Sequence, residues 1–286
     1  MLGLKEIKQR IKGVTNIRQI TKAMEMVAIN RVRKSEIRMM NSRPYAENIN
    51  KLLRRLSLTG EEKSRYFDAN EAPKSTKIVL ITSDRGLCGS YNANAIQETV
   101  NFIKKQHAKN VSLYLMGKKG NLFFRNRGYK IDKFHPVSVE KLTSAHISEL
   151  ANELIVEFED GKFDELFIVF TKFITLSKNR PTIMKLLPIE KIDSKEETKR
   201  VDYIFEPSCD EILKRLIPKY ILSQVYSTIL ESLTSESGAR MVAMKAASEN
   251  AEEIIGDLKR SYNRARQEAI TSELLEIISG AEALLQ

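Results

Sequence analysis

Residues 81–92 read ITSDRGLCGSYN. An apolar run ends there in a turn that carries Asp84, Arg85 and Cys88 beside two glycines, Gly86 and Gly89. Backbone amides exposed by glycine at the mouth of an α/β sheet can cradle a phosphate. A P-loop needs GxxxxGK[ST], in which a lysine and a hydroxyl complete the site. A dinucleotide fingerprint needs GxGxxG with an acidic residue about 20 positions on. This loop has GxxG, with neither the Lys-Ser or Lys-Thr pair nor the third glycine. It reads as a strand-to-helix turn rather than a nucleotide site. The glycines would supply positive φ or close backbone approach, and Ser90 or Asn92 would cap the next helix.

Other candidate chemistry is sparse. Of the three histidines, His107 lies in a lysine-rich stretch and reads as solvated, and His146 can take either face of its helix. Neither they nor His135 have a second histidine or a cysteine at ligand spacing. Ser83-Asp84 has no histidine near it in sequence, and Glu159-Asp160 precede Gly161 as a helix end would. Cys88 and Cys209 are far apart and fit a reduced compartment. The expectation is no catalytic set, no cofactor and no metal.

Bulk properties narrow the class. Hydrophobic residues make up 42% of 286 and the mean hydropathy is −0.32, and no apolar run reaches membrane-spanning length. The N-terminal stretch MLGLKEIKQRIKG lacks the apolar core of a signal peptide and carries Glu6, unlike a transit peptide. The net charge of +10 is concentrated at one end. Residues 1–55 hold 14 Lys and Arg against 4 Glu and no Asp, whereas residues 208–286 hold 9 against 12 acidic residues. Arg31, Arg33, Lys34 and Arg38 form a cluster that could neutralise nucleic-acid phosphates. The rival function is therefore a coiled-coil nucleic-acid-binding protein. Against it, the basic residues are interleaved with an apolar seam and lack stacking aromatics.

Three segments would position these residues. Residues 1–57 read as a long helix with apolar positions at Leu4, Ile7, Ile11, Val14, Ile17, Ile20, Met24 and Val27, near coiled-coil spacing. The consecutive steps of three predict a stammer, and Pro44 a kink or interruption. Residues 60–75 read as a linker. Residues 76–206 alternate strands (77–82, 111–117, 129–134, 165–173, 182–189) with helices (91–108, a second after 117, and 138–159), with a turn at Asn179-Arg180-Pro181. This predicts a mostly parallel, Rossmann-like sheet with helices on its faces.

Residues 208–286 read as a second long helix, opened by a Ser208/Glu211 capping box and bent at Pro218. Its seam runs Val225, Ile229, Leu233, Met244, Ala247, Ala251, Leu258, Tyr262, Ala265 and Ala269. At ~1.5 Å per residue it would span about 115 Å, so most of it must project from a small domain. The basic N-terminal helix would cover its seam as an antiparallel partner. The fold class is thus α/β, a long antiparallel coiled coil of terminal helices plus a central domain. The tail from Ile270 carries Leu274, Leu275, Ile277, Ile278, Leu284 and Leu285 around most of its circumference. A helix apolar nearly all round needs burial, and a partner must provide it.

Four blocks in order, ITKAMEMVA (20–28), ITSDRGLCGSYN, ARMVAMKAASENA and YNRARQEAIT, resemble the gamma-subunit family of F-type ATP synthases along the whole chain. The resemblance implies a central rotor shaft, non-catalytic by itself. It would couple proton- or sodium-driven c-ring rotation to ATP synthesis or hydrolysis on the beta subunits. It implies partners (the alpha and beta subunits of the head, the epsilon subunit and the membrane c-ring) with no nucleic acid and no directly bound nucleotide. It implies that Met24, Arg266 and Gln267 meet beta-subunit loops, and that Phe205 and Glu206 lie at the foot near epsilon and the c-ring. Met24 also fits seam packing, and Arg266 a solvated charge. No cysteine-pair insert of the chloroplast kind is present. The expected location is the cytoplasmic face of a bacterial membrane, peripheral.

Overall fold

The computed structural model describes residues 3–59, 65–67, 73–105, 110–189 and 209–285. The elements are α1 (Leu4–Thr59), β1 (Ser75–Ile81), α2 (Tyr91–Lys105), β2 (Asn110–Met116), α3 (Lys118–Arg125) and β3 (Ile131–His135). A 3₁₀ turn (Val139–Lys141), α4 (Ser144–Glu159), β4 (Glu165–Phe173), β5 (Asn179–Leu187) and α5 (Cys209–Leu285) follow. The chain divides into two compact units. One spans Ile29–Arg240, and the other combines α1 up to Ala28 with α5 from Met241 onward.

In the first unit the strands lie in the order β3-β2-β1-β4-β5, parallel except for β5. Right-handed crossovers dictate which face each helix covers. The path β1-α2-β2-α3-β3 moves one way across the sheet. The return from β3 to β4, on the far side of β1, therefore places α4 on the opposite face. Burial follows this rule. Ile78, Leu80, Leu113 and Leu115 pack with Ala95, Ile96 and Phe124 of α2 and α3. The alternate strand residues Val79, Ile81, Tyr114, Met116, Leu166 and Ile168 pack with Leu150, Leu154 and Phe158 of α4. Ile217, Ile221, Val225 and Ile229 of α5, and Ile49 and Leu53 of α1, join the same core.

Four local expectations need correction. The turn expected at Asn179-Arg180-Pro181 lies earlier, closed by Lys178 N–H to the carbonyl of Thr175 at 3.2 Å. Asn179 and Arg180 already pair with Phe173 and Lys172. Pro181 is tolerated because β5 is an edge strand. The helix expected over 138–159 is split, because Thr143 and His146 form a capping box that starts α4 afresh. Pro44 does not interrupt α1, whereas Pro218 lies inside α5, where the sequence placed it. Ser208 and His107 lie outside the described residues.

The fourth correction is the stammer. Flanked by the half-buried Thr15, Met24, Arg31, Glu36 and Asn50, the central covered stripe of α1 runs through Leu4, Ile7, Ile11, Val14, Arg18, Thr21, Glu25, Ala28, Val32, Ser35, Met39, Ser42, Ala46, Ile49 and Leu53. These steps alternate strictly between four and three, the unbroken heptad rhythm. The apolar residues that suggested a shift, Ile17, Ile20 and Val27, are 55%, 60% and 53% exposed. The seam runs straight on through polar side chains, and the displaced apolar ones form an outer face.

Candidate functional site

The 83–90 loop follows β1 at the point where strand order reverses between β1 and β4. In doubly wound sheets this crevice is where ligands bind. Here the chain's own α5 engages it. Ser232 Oγ accepts the Thr171 N–H at 3.1 Å and Ser235 Oγ donates to the Thr171 carbonyl at 2.9 Å, beyond the part of β4 paired with β1. Arg240 donates to the Gly86 carbonyl at 3.4 Å. Gly238 comes so close that an added Cβ would sit 3.3 Å from the Leu176 carbonyl oxygen.

Ser83, Asp84 and Cys88 of the loop face inward on structure, while Arg85, Leu87 and Ser90 are exposed. Asp84 accepts from Lys118 N–H (3.1 Å), Ser138 Oγ (2.6 Å) and Val139 N–H (3.2 Å), fastening the β2–α3 turn to the segment before α4. Asn92 accepts the Ser83 N–H at 2.9 Å, so it closes the turn instead of capping α2. Positive φ falls at Gly89 (57°) and, against expectation, at Leu87 (63°), while Gly86 has an ordinary conformation. The close approach occurs at Gly117, where φ is 93° and a Cβ would stand 2.1 Å from the Thr82 carbonyl oxygen. Cys88 is buried, and burial raises its thiol pKa, so it is not a poised nucleophile.

The Arg240 guanidinium and Glu236 carboxylate, 7% and 4% exposed, pair at 2.6 Å. Burial pushes the Glu236 pKa up despite the attraction of Arg240. Burial opposes the charge on Arg240, but Glu236 holds it firmly protonated. Glu140 lies 4.0 Å from Arg240 and also pairs with Arg31, so one member of the basic cluster is engaged within the fold. This network was missed in the sequence, although Glu236 and Arg240 stand at the i, i+4 spacing of a helical ion pair. Glu159 at the end of α4 accepts a hydrogen bond from the Tyr66 hydroxyl at 2.6 Å, as a structural carboxylate would. Among the described residues no group of three or more His, Cys, Asp or Glu could hold a metal ion.

In the second unit α1 and α5 run antiparallel. Arg18 pairs with Glu252 at 2.8 Å, which fixes the register. Fourteen residues earlier α1 begins at Leu4, and fourteen later α5 reaches Arg266. The covered seam of α5, Met244, Ser248, Ala251, Ile255, Leu258, Tyr262 and Ala265, ends accordingly. Every residue from Arg266 to Ala281 is exposed, including Ile270, Leu274, Leu275, Ile277 and Ile278 at 49–62%. Arg266 and Gln267 thus stand where α5 outlasts its partner. Met24 is half-buried beside the seam residue Glu25. By the same register it lies roughly 30 Å from Arg266 along the helices, so these residues form separate contacts. Phe205 and Glu206 lie outside the described residues.

A sequence model of the family described as ATP synthase matches residues 3–284. The ATP synthase gamma chain of Geotalea daltonii is 41% identical over 99% of both chains. That of Desulfitobacterium hafniense is 40% identical over 99% of this chain and all of its own. A solved chain from the central stalk and c-ring of the Tetrahymena thermophila mitochondrial ATP synthase matches with a TM-score of 0.61 and 26% identity, over 80% of this chain and 99% of that one. A chain from the Euglena gracilis mitochondrial enzyme shares the fold at a TM-score of 0.68 and 17% identity, over 98% and 94%. With long terminal helices flanking a mixed sheet and full-length relatives of one kind, this chain belongs to the ATP synthase gamma-chain family.

Proposed function

We propose that this chain is the central rotor shaft that couples ion-driven c-ring rotation to ATP synthesis or hydrolysis on the beta subunits. The observation that carries the reading is α5 running on past the start of α1 with its apolar residues exposed all round. Such a surface requires an enclosing partner, and a head of alpha and beta subunits would supply a bearing for it. An asymmetric shaft shifts each catalytic subunit only through contacts that differ among their conformations. The two helices meet that condition, since basic, acidic and apolar residues face outward unevenly. Catalysis would remain on the beta subunits.

In this reading Met24, Arg266 and Gln267 meet beta-subunit loops, and Phe205 and Glu206 serve the foot near epsilon and the c-ring. Segments 1–57 and 208–286 form the shaft and 76–206 the foot. No helix among the described residues is long and apolar enough to cross a membrane, which accords with a peripheral position on the cytoplasmic face of a bacterial membrane. The coupling ion is a proton or sodium. The full chain mixed with purified alpha and beta subunits should co-elute with them and raise their ATPase activity. Failure of both would overturn the reading. Salt-sensitive retention of DNA by the full chain, lost on neutralising Arg33, Lys34 and Arg38, would favour the nucleic-acid alternative.

A further inference from the structure

We infer that Ser232 and Ser235 are positioning residues that hold α5 in register on the α/β domain against axial slip under load. The inference rests on the rotor reading above. Below this point α5 meets the sheet through Ile217, Ile221, Val225 and Ile229. Apolar burial is non-directional, so it resists separation without fixing rotation or sliding. Hydrogen bonds weaken steeply when their geometry is lost. The two serines are one helical turn apart and grip the N–H and the carbonyl of a single residue, Thr171.

All three residues are 1% exposed, so water does not compete for these bonds. The Tyr91 hydroxyl adds a contact to Ser232, and burial raises its pKa, keeping it protonated. The pairing of β4 with β1 ends at Val169, so on that edge α5 takes the place of a neighbouring strand for Thr171. A helix that turned about its axis or slid along it would break both bonds together.

Other buried hydroxyls on α5 provide a matched control. Thr228 and Thr234 are also buried, but they donate to Val225 and Leu230 of their own helix. The test is ATP-driven ion pumping, followed for both protons and sodium, by the membrane-reconstituted complex carrying the double variant Ser232→Ala/Ser235→Ala or the control Thr228→Val/Thr234→Val. Without a gradient, both should hydrolyse ATP like the parent. Against a preset gradient the serine variant should pump about three- to tenfold less per ATP, from the loss of two buried hydrogen bonds, and the control should not. The Thr171 amide should exchange with solvent faster in the serine variant alone. Equal pumping by both variants, or equal losses, overturns the inference while leaving the rotor reading intact. Failure of the parent complex to pump would strike that reading instead.

Discussion

The two compact units of this chain solve burial differently. The unit from Ile29 to Arg240 fills both faces of its sheet with large side chains. Tyr114, Phe124, Phe158 and Phe163 are essentially inaccessible. The paired helices of the other unit share one seam, and much of that seam is polar: Arg18, Thr21, Glu25 and Ser248 occupy heptad positions. Where they pack, an open cleft of about 510 Å³ is lined by Arg18, Lys22, Glu25, Ser248 and Glu252. Meanwhile Ile17, Ile20 and Val27 point outward. The sheet unit buries its large side chains within itself, while the helix pair leaves apolar side chains exposed. Polar heptad residues weaken a coiled coil but fix its register.

The contrast can be broken most sharply inside the domain. Arg240→Met strands the buried Glu236 charge and should cost about 3–5 kcal/mol in denaturant unfolding of the full chain. Adding Glu236→Leu should recover most of that loss, because both charges are then gone. Leu154→Ala, at a position 0% exposed, should cost about 2–5 kcal/mol through lost burial and a residual cavity.

A smaller effect is expected at Asp164, which accepts from the N–H groups of Lys74 and Ser75 and from the Ser75 hydroxyl. Burial alone would raise its pKa, but these three bonds bring it below the ordinary value. Its contribution should therefore be present above about pH 4 and fade as pH falls through the lower folded value. Asp164→Asn should cost about 1–3 kcal/mol at pH 7, and the gap to the parent should narrow on acidification. The smallest effect belongs to the helix pair. Ile17→Ser, Ile20→Ser and Val27→Ser should each move the stability of the isolated chain by no more than about 0.5 kcal/mol. They should nevertheless weaken its retention by the alpha and beta subunits.

Much of this was legible in sequence because continuous apolar runs mark buried parallel strands. The run ELFIVFTKF coincides with β4 from Glu165 to Phe173. The long helices and the unpartnered tail were equally plain from periodicity. The stammer was misread because hydrophobicity stood in for burial. In α1 the seam passes through Arg18, Thr21 and Glu25, while isoleucines outside it serve another surface. The β4–β5 turn was misplaced because Asn179-Arg180-Pro181 carries turn chemistry, whereas the actual turn at Thr175–Lys178 has neither glycine nor proline. The polar attachment of α5 escaped because Ser232, Ser235 and Arg240 reveal their partners only once β4 and the 83–90 loop are in place. That attachment also answers the loop's resemblance to a nucleotide cradle. It occupies the position where such folds bind ligands, and here it meets α5.

The central claim is that this chain turns inside its partners. The direct measurement anchors the beta subunits of the assembled complex to a surface and follows a bead fixed to the exposed residue 122 as Leu122→Cys. Because the chain also has Cys88 and Cys209, attachment is checked against the parent chain. The account predicts stepwise rotation in one direction that requires ATP and stops when ATP is removed. A bead that stays fixed while the same complexes hydrolyse ATP would contradict it.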